Sequence, residues 1–299
     1  MRVFITGATG FIGSAIVKEL LNAGHQVTGL ARSDAAANSL AAAGVKVHRG
    51  DLNDLDSLRK GAAESDGIIH TAFNHDFSNF KENCEADRRA IDTLGSAIAG
   101  SERPLVVTSG ITLLTPGNFA TEEDRVSSAS SSIPRIATEE AAEFVAQKSV
   151  RVSIVRLPPT VHGDGDCGFV PLMINLAREK GVSAYVSEGR NCWPAIHRDD
   201  AALLYRLVLE KHATAGIRYH GVAEERIEFR DIAGAIGKYL NIPVTSKSLA
   251  ESTHHFGWFN FFAKLDCPAS SKITQKALEW HPIQSTLLKD LEIGNYFKE

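Results

Sequence analysis

The fold is decided by the stretch Thr6-Gly7-Ala8-Thr9-Gly10-Phe11-Ile12-Gly13. A short apolar run at 2–5 precedes it and predicts a buried strand, and a helical pattern of apolar residues follows it at 14–22. Gly24 then marks the end of that helix, and 25–30 predicts a second strand. Strand, glycine loop, helix and strand in this order are typical of the first unit of a doubly wound parallel sheet.

Each glycine of the loop has its own predicted task. Gly7 permits the tight turn off the strand, Gly10 lets the backbone approach a pyrophosphate, and Gly13 lets the helix pack closely on the strand. The first N–H groups of the helix point toward the same place and favour phosphate. The loop therefore predicts a dinucleotide site, and the alternative is a glycine turn that binds nothing.

Composition sets the broad class. The chain has 299 residues, 43% of them hydrophobic and 23% charged, which suits one large domain or one domain with a small lobe. A net charge of -4 favours neither nucleic acid nor an anionic membrane as a partner. No apolar stretch reaches membrane-spanning length, and the N-terminus does not resemble a signal peptide. We expect a cytoplasmic monomer or homodimer with a small-molecule substrate.

The four cysteines are scattered, without metal or redox spacing, so we expect reduced thiols and no metal site.

The end of the second strand predicts the cofactor. An NAD site places an acidic side chain there to hold the ribose 2′-hydroxyl, whereas this chain has Ala31 followed by Arg32 and Ser33. A guanidinium makes charge-assisted bonds to phosphate oxygens, so Arg32 favours the 2′-phosphate of NADP. Asp34 is expected beyond the turn. The alternative is that Arg32 is an ordinary solvated arginine.

The Gly-x-x-Gly-x-x-Gly spacing resembles the loop of the short-chain dehydrogenase/reductase superfamily, especially its extended and atypical branches, and the similarity continues along most of the chain. The resemblance implies an α/β fold: a Rossmann domain with a doubly wound parallel sheet over 1–165, and a small C-terminal substrate-binding lobe with returning elements over 166–299. It implies an oxidoreductase acting on a small carbonyl or alcohol. The alternatives are an epimerase or dehydratase and a non-catalytic NADP(H)-binding sensor.

The resemblance also implies where the cofactor lies. Asp51 would contact the adenine, although capping of a helix over 54–63 explains it equally well, and the segment after Pro158 would lie against the nicotinamide. The predicted cofactor-binding residues are Thr6, Gly7, Thr9, Gly10, Phe11, Ile12, Gly13, Arg32, Ser33, Asp51, Leu52, Thr71, Ala72, Pro158 and Thr160.

The catalytic pattern of the superfamily is broken. Its members carry Tyr-x-x-x-Lys on the helix after the fifth strand, and matching that helix puts Arg135 and Glu139 at the two positions. Arginine does not donate its proton, and a carboxylate raises the pKa of a nearby acid, so the usual proton relay cannot be carried over. Two interpretations stay open: an ion pair four residues apart on one helix, or Arg135 stabilising an oxyanion at the nicotinamide.

Two further residues are predicted to be catalytic. Ser109 aligns with the Ser/Thr that hydrogen-bonds the substrate oxygen, and its alternative is an ordinary strand-end serine. His162 takes the place of a loop tyrosine near the nicotinamide and is the predicted substitute acid, because histidine titrates near neutrality. Its alternative is a histidine that packs the loop.

Five predictions concern the rest of the chain. We expect Asp199 to cap the next helix and His197 to be structural. The aromatic stretch at 254–262 is core, a lid or a dimer contact. A mobile loop is expected at 127–132, and 270–280 is predicted as the last helix.

Overall fold

A parallel sheet of seven strands forms the centre of a computed structural model, which describes residues 1–126, 133–211 and 213–298. The strands described are β1 (Arg2–Thr6), β2 (Gln26–Ala31), β3 (Lys46–Arg49), β4 (Gly67–His70), β5 (Pro104–Gly110), β6 (Arg151–Leu157), β7 (Thr160–His162), β8 (Ser183–Val186), β9 (Cys192–His197), β10 (Ile217–His220), β11 (Glu224–Glu228) and β12 (Val244–Lys247). The order in the central sheet is β10-β6-β5-β4-β1-β2-β3.

Helices cover both faces of this sheet. The helices described, which include those of a smaller lobe, are α1 (Phe11–Asn22), α2 (Asp34–Ala42), α3 (Leu55–Ala63), α4 (Phe80–Ile98), α5 (Ala137–Gln147), α6 (Phe169–Lys180), α7 (Arg198–Glu210), α8 (Phe229–Leu240), α9 (Leu249–Phe256), α10 (Asn260–Ala263), α11 (Lys272–Leu278) and α12 (Leu287–Ile293). Val3 and Ile5 pack with α1 and α7, whereas Phe4 packs with α3 and α4 on the other face. Because the inner strands are buried on both sides, their sequences are largely apolar, whereas the edge strand β3 is partly exposed. The predicted fold class is confirmed.

A smaller lobe follows the Rossmann core. Its β-structure is a three-stranded sheet, β11-β9-β7, and a two-stranded sheet, β12-β8. Trp193, Phe229 and Phe259 are fully buried at its centre. The chain also returns to the core, since α7 packs on α1 and β10 pairs with β6. The division at residue 165 stays a prediction, because elements of the second half complete the first.

The last predicted helix was wrong in extent. The helix α11 covers 272–278 and ends at Glu279, which adopts the left-handed conformation with φ 51°. A further helix, α12, then begins after Thr286, whose hydroxyl accepts from the N–H of Lys289. Because Glu279 is not a glycine, this helix end was not predictable from the residue type.

Helix α7 is also capped differently from the prediction. The His197 side chain accepts the N–H of Asp199 at 3.2 Å, so His197 is the cap and Asp199 lies in the first turn.

The segment 127–132, for which a mobile loop was predicted, lies outside the described residues. No helix in the described part of the chain is long and apolar enough to cross a membrane.

Candidate functional site

The glycine loop lies between the end of β1 and the start of α1. Gly7 has φ +74°, as the predicted turn requires, and a Cβ on Gly13 would lie 2.0 Å from the Gly7 carbonyl oxygen. Gly13 thus allows α1 to pack against the loop itself rather than against the strand. A Cβ on Gly10 would meet only that same oxygen, at 3.2 Å, and otherwise faces open space.

This loop fits a pyrophosphate. Gly10 is the N-cap of α1 and no side chain caps the helix, so the first N–H groups stay available to an anion. Thr9 and Gly10 are exposed at the mouth of the loop, with Phe11 and Ile12 half-buried behind them. The open space over Gly10 is the space that a bound dinucleotide needs.

The ends of β1 and β4 are tied together beside this loop. The Thr71 hydroxyl donates to the Thr6 carbonyl at 2.8 Å, and the Ala72 N–H donates to the Thr6 hydroxyl at 3.3 Å. A Cβ on Gly7 would collide with Thr71 Oγ1 at 2.7 Å. Thr6, Gly7, Thr71 and Ala72 therefore form one continuous edge beside the loop, and their contact with a cofactor stays a prediction.

The end of β2 holds Arg32 at the surface. Arg32 is exposed, and its side chain forms no hydrogen bond or ion pair with the described residues. Ser33 caps α2, since its hydroxyl accepts the N–H of Ala36 at 3.2 Å. Asp34 begins α2 and forms an ion pair with Arg49 of the neighbouring strand. The acidic side chain near this edge is thus paired, while the guanidinium of Arg32 is not.

The residues after β3 differ from the prediction in one respect. Asp54, not Asp51, caps α3 by accepting the N–H of Ser57 at 3.0 Å. Asp51 instead accepts the N–H groups of Asn53 and Asp54, which shapes the turn before the helix. Leu52 is half-buried against the core, so an adenine contact of these two residues stays a prediction.

The segment expected at the nicotinamide is largely buried. Pro158 is buried, and the Thr160 hydroxyl donates to the Pro194 carbonyl at 2.5 Å with 1% of the residue exposed. The side chain of Thr160 is therefore committed to the lobe, and a cofactor contact there is left to the backbone.

Arg135 lies at the ends of β4 and β5 and is anchored by Asp87 of α4. Its Nη1 donates to Asp87 Oδ2 at 2.7 Å and to the Thr138 hydroxyl at 2.7 Å, and its guanidinium stacks on Phe73 at 3.7 Å from the ring centroid. Asp87 also contacts His70 Nε2 at 3.0 Å. Burial opposes the charge of Asp87, but Arg135 and the bond from His70 outweigh it and hold the pKa of Asp87 at about 2.

The guanidinium of Arg135 retains N–H groups for a ligand. Nη1 uses both of its protons, Nη2 makes one long contact of 3.4 Å to the Thr108 carbonyl, and no partner of Nε is found among the described residues. The side chain is 17% exposed. A cation fixed in this way can stabilise negative charge but cannot supply a proton.

Of the two interpretations left open for Arg135 and Glu139, the ion pair between them is contradicted, because each side chain has other partners. Glu139 accepts from Nε and Nη2 of Arg156, each at 2.7 Å, and from Arg218 at 3.3 Å. Burial would raise the pKa of Glu139, but the bonds and charges of Arg156, Ser109 and Arg218 lower it overall. The two helix positions face different neighbours, because Arg135 lies in a short 3-10 turn just before α5 begins.

Ser109 lies at the predicted strand end but points to this buried carboxylate. Its hydroxyl donates to Glu139 Oε1 at 2.8 Å, and 4% of the residue is exposed. The proton that a substrate oxygen would need is therefore committed to Glu139. A contact between Ser109 and the substrate stays a prediction.

His162 was predicted near the nicotinamide, and its surroundings contradict the role of an accessible acid. It is 0% exposed, its Nδ1 lies 2.8 Å from Asp290 of α12, and its ring packs edge-on to His197 at 5.4 Å. It therefore packs the junction between β7 and the C-terminal helix, which was the alternative interpretation. Its strand position explains the error, because β7 pairs with β9 in the lobe.

Three residues of this edge were missed by sequence reasoning. Asp87 and Arg156 hold Arg135 and Glu139, but each meets its partner only in space. His75 lies in the segment between β4 and α4, and its ring contacts Phe73 at 5.1 Å. Only the position of His75 in the sequence could have indicated a role at the site, because the segment that contains it follows β4, whose end lies at the predicted ligand edge of the sheet.

A model of the NAD dependent epimerase/dehydratase family matches residues 3–220. The chain belongs to this family. An uncharacterized protein of Schizosaccharomyces pombe is 53% identical over 298 residues, covering 99% of this chain and 100% of that protein. The 2-alkyl-3-oxoalkanoate reductase of Stenotrophomonas maltophilia is 26% identical and covers 85% of this chain and 80% of its own.

Solved structures of the epimerase/dehydratase type share the fold. A dTDP-glucose 4,6-dehydratase from Streptomyces venezuelae, solved with NAD, has a TM-score of 0.77 at 19% identity, with 98% of this chain and 96% of that chain covered. The family assignment confirms the predicted superfamily. It agrees with the glycine loop, the open space at Gly10 and the uncapped start of α1. No group of side chains suited to a metal ion is present in the described part of the chain.

Proposed function

We propose that this member of the epimerase/dehydratase family is an NADP-dependent oxidoreductase that acts on a small carbonyl or alcohol. When bound, the cofactor supplies or accepts a hydride. The glycine loop at residues 7–13 would hold the pyrophosphate, and the nicotinamide would then lie near the ends of β4 and β5. The protein would also stabilise the negative charge that develops on the substrate oxygen.

The environment of Arg135 is the observation that supports this function. Its guanidinium is fixed by Asp87, Thr138 and Phe73 at the edge where β4 and β5 end, and it keeps N–H groups that no described residue uses. A carbonyl that gains a hydride develops negative charge on its oxygen, and a fixed cation lowers the energy of that state. Epimerase or dehydratase chemistry of the family would call on the Tyr-x-x-x-Lys pair, which this sequence lacks.

The preference for NADP is supported by Arg32. The guanidinium is exposed at the end of β2, and the acidic residue that follows in the sequence, Asp34, is paired with Arg49. An acidic side chain available to the ribose 2′-hydroxyl is the feature expected of an NAD site.

The reductase of Stenotrophomonas maltophilia, a relative named 2-alkyl-3-oxoalkanoate reductase, supports reduction as the direction of the proposed reaction.

Substitution of Arg135 tests the proposed function. We expect Arg135→Gln to lower kcat for carbonyl reduction by about 10²–10³-fold, because the developing oxyanion loses its cation. NADPH affinity should change little. Arg135→Lys keeps the charge and should recover part of the loss.

The control is the double variant Arg135→Gln/Asp87→Asn, which removes both charges of the buried pair. It should restore stability lost by leaving Asp87 unpaired without restoring turnover. If Arg135→Gln turns over carbonyls at the wild-type rate, Arg135 has no role in catalysis and the proposed function loses its main support.

A further inference from the structure

The proton required by a carbonyl reduction has no source among the residues placed so far. Arg135 keeps its proton, the Ser109 proton is held by Glu139, and His162 is buried against Asp290. Tyr205 is fully buried and shares a hydrogen bond of 2.7 Å with Thr108. An exposed titratable group beside Arg135 is therefore the feature to look for.

His75 is such a group. It lies three residues after Ala72, in the segment that connects β4 to α4, and it is exposed. Its ring meets Phe73 edge-on with the centroids 5.1 Å apart, while the guanidinium of Arg135 lies over the same Phe73 ring at 3.7 Å. Phe73 thus holds an imidazole and a guanidinium as neighbours at one edge of the sheet.

The groups that face His75 tune its protonation. Partial burial and the charge of Arg135 lower the pKa of His75, while a bond with the Phe73 backbone and the charge of Asp87 raise it. The net direction is downward from the ordinary value of about 6.5. A lowered pKa makes the imidazolium of His75 a stronger acid and favours the neutral imidazole that would act as the base in the reverse direction.

Other histidines at this end of the sheet are already used. His70 is 1% exposed and lies between the Thr6 hydroxyl and Asp87, at 2.8 and 3.0 Å. His220 is buried, with Nδ1 2.8 Å from the Ser270 carbonyl. Neither has a ring nitrogen open to a substrate.

We propose that His75 is the general acid–base residue of the reaction, with Arg135 beside it as the cation that stabilises the oxyanion. This inference rests on the proposed function. In reduction, the carbonyl carbon gains a hydride from the reduced nicotinamide cofactor, and the C=O π pair moves to the oxygen. The oxygen then takes the proton of the imidazolium of His75, which is left neutral. Oxidation of the alcohol reverses each transfer.

The first experiment follows the imidazole signals by NMR without substrate. Disappearance of one signal in His75→Gln identifies His75, and its pH titration is compared in wild type, Arg135→Gln and Arg135→Lys. Removing the positive neighbour should raise the pKa of His75, and Arg135→Lys should keep it near the wild-type value. An unchanged pKa in Arg135→Gln would show that the two groups do not interact and would overturn the arrangement.

The second experiment measures turnover against pH. His75→Gln should lower kcat by about 10²–10⁴-fold with NADPH affinity nearly unchanged, and should remove the limb by which reduction slows as pH rises through the pKa of His75. The matched control is His281→Gln, an exposed histidine of the C-terminal region, which should behave as wild type.

The outcomes separate this inference from the proposed function. If the wild type reduces carbonyls and His75→Gln keeps both its rate and its pH limb, His75 is not the acid, while the oxidoreductase assignment stands. If the wild type binds NADPH but reduces no carbonyl in the panel, the proposed function fails and the role of His75 fails with it.

Discussion

At the scale of single residues, Gly10 and Gly13 are predicted to fail in different ways. Gly10→Ala should fold normally and lose NADPH affinity, because its Cβ enters the space over the loop and meets only the Gly7 oxygen at 3.2 Å. Gly13→Ala should lose stability first, because its Cβ would lie 2.0 Å from that oxygen. Thermal unfolding and NADPH titration of both variants check this.

The control for the glycine pair is Gly24→Ala, whose Cβ would have no neighbour within 4 Å, although its φ of +81° costs some stability. It should keep wild-type NADPH affinity. Gly10→Ala with full affinity would place the cofactor somewhere other than this loop.

Residue roles were predictable where the backbone alone decides them. Gly7 adopts a positive φ, and Gly13 lies against the Gly7 carbonyl oxygen. Glycine is the residue that permits both, so the residue type alone predicted these two roles. Partners of long side chains were not predictable: Arg135 was matched to Glu139 four residues away, yet it binds Asp87 from another helix. The burial of His162 was not predictable either, because its partner Asp290 lies 128 residues away in sequence.

At the scale of elements, Asp87 links β4, α4 and the start of α5. Its carboxylate contacts His70, Arg135 and Thr138 while only 2% of the residue is exposed. Asp87→Asn should lower the free energy of unfolding at neutral pH by about 3–5 kcal/mol, because the guanidinium of Arg135 loses its partner.

The same link predicts a pH dependence. The pKa of Asp87 is about 2 in the folded chain and about 3.9 when unfolded, so its stabilisation is present above about pH 4 and is lost as the pH falls toward 2. Urea unfolding at several pH values should show a flatter acid slope in Asp87→Asn. Asp56→Asn, at an exposed surface pair, is the control and should keep the wild-type slope. An equal slope in Asp87→Asn and wild type would contradict this link.

The sequence predicted which helices and strands exist more accurately than it predicted the residues at which they begin and end. The alternation of apolar strands with amphipathic helices identified the strands and helices of the Rossmann core, because the inner strands are buried on both faces. The helix α12 was missed because it is only seven residues long. Its two buried apolar residues, Leu287 and Leu291, pack in the lobe and are too few to form a recognisable helical pattern in the sequence. His197 was missed as a cap, because histidine is not among the usual capping residues.

At the scale of the whole molecule, the fold followed from the first thirty residues, whereas the chemistry depends on contacts across the sheet edge. The pyrophosphate loop at the start of α1, Arg32 at the end of β2, and Arg135 with His75 near the ends of β4 and β5 all lie along the C-terminal edge of one sheet. Ligands of open α/β sheets bind at that edge. The proposed function therefore requires that one extended cofactor lies along this edge and reaches all of these residues.

The most direct test is transfer of deuterium from labelled NADPH or NADH to a panel of small carbonyls, with the alcohol products analysed by mass spectrometry. We predict one deuterium on the former carbonyl carbon for each NADPH consumed. The contact of Arg32 with the 2′-phosphate is worth about 1.5–3 kcal/mol, so kcat/KM should favour NADPH by about 10- to 150-fold and lose this preference in Arg32→Ala. No label transfer from either cofactor, or equal kcat/KM for the two in the wild type, would contradict the account.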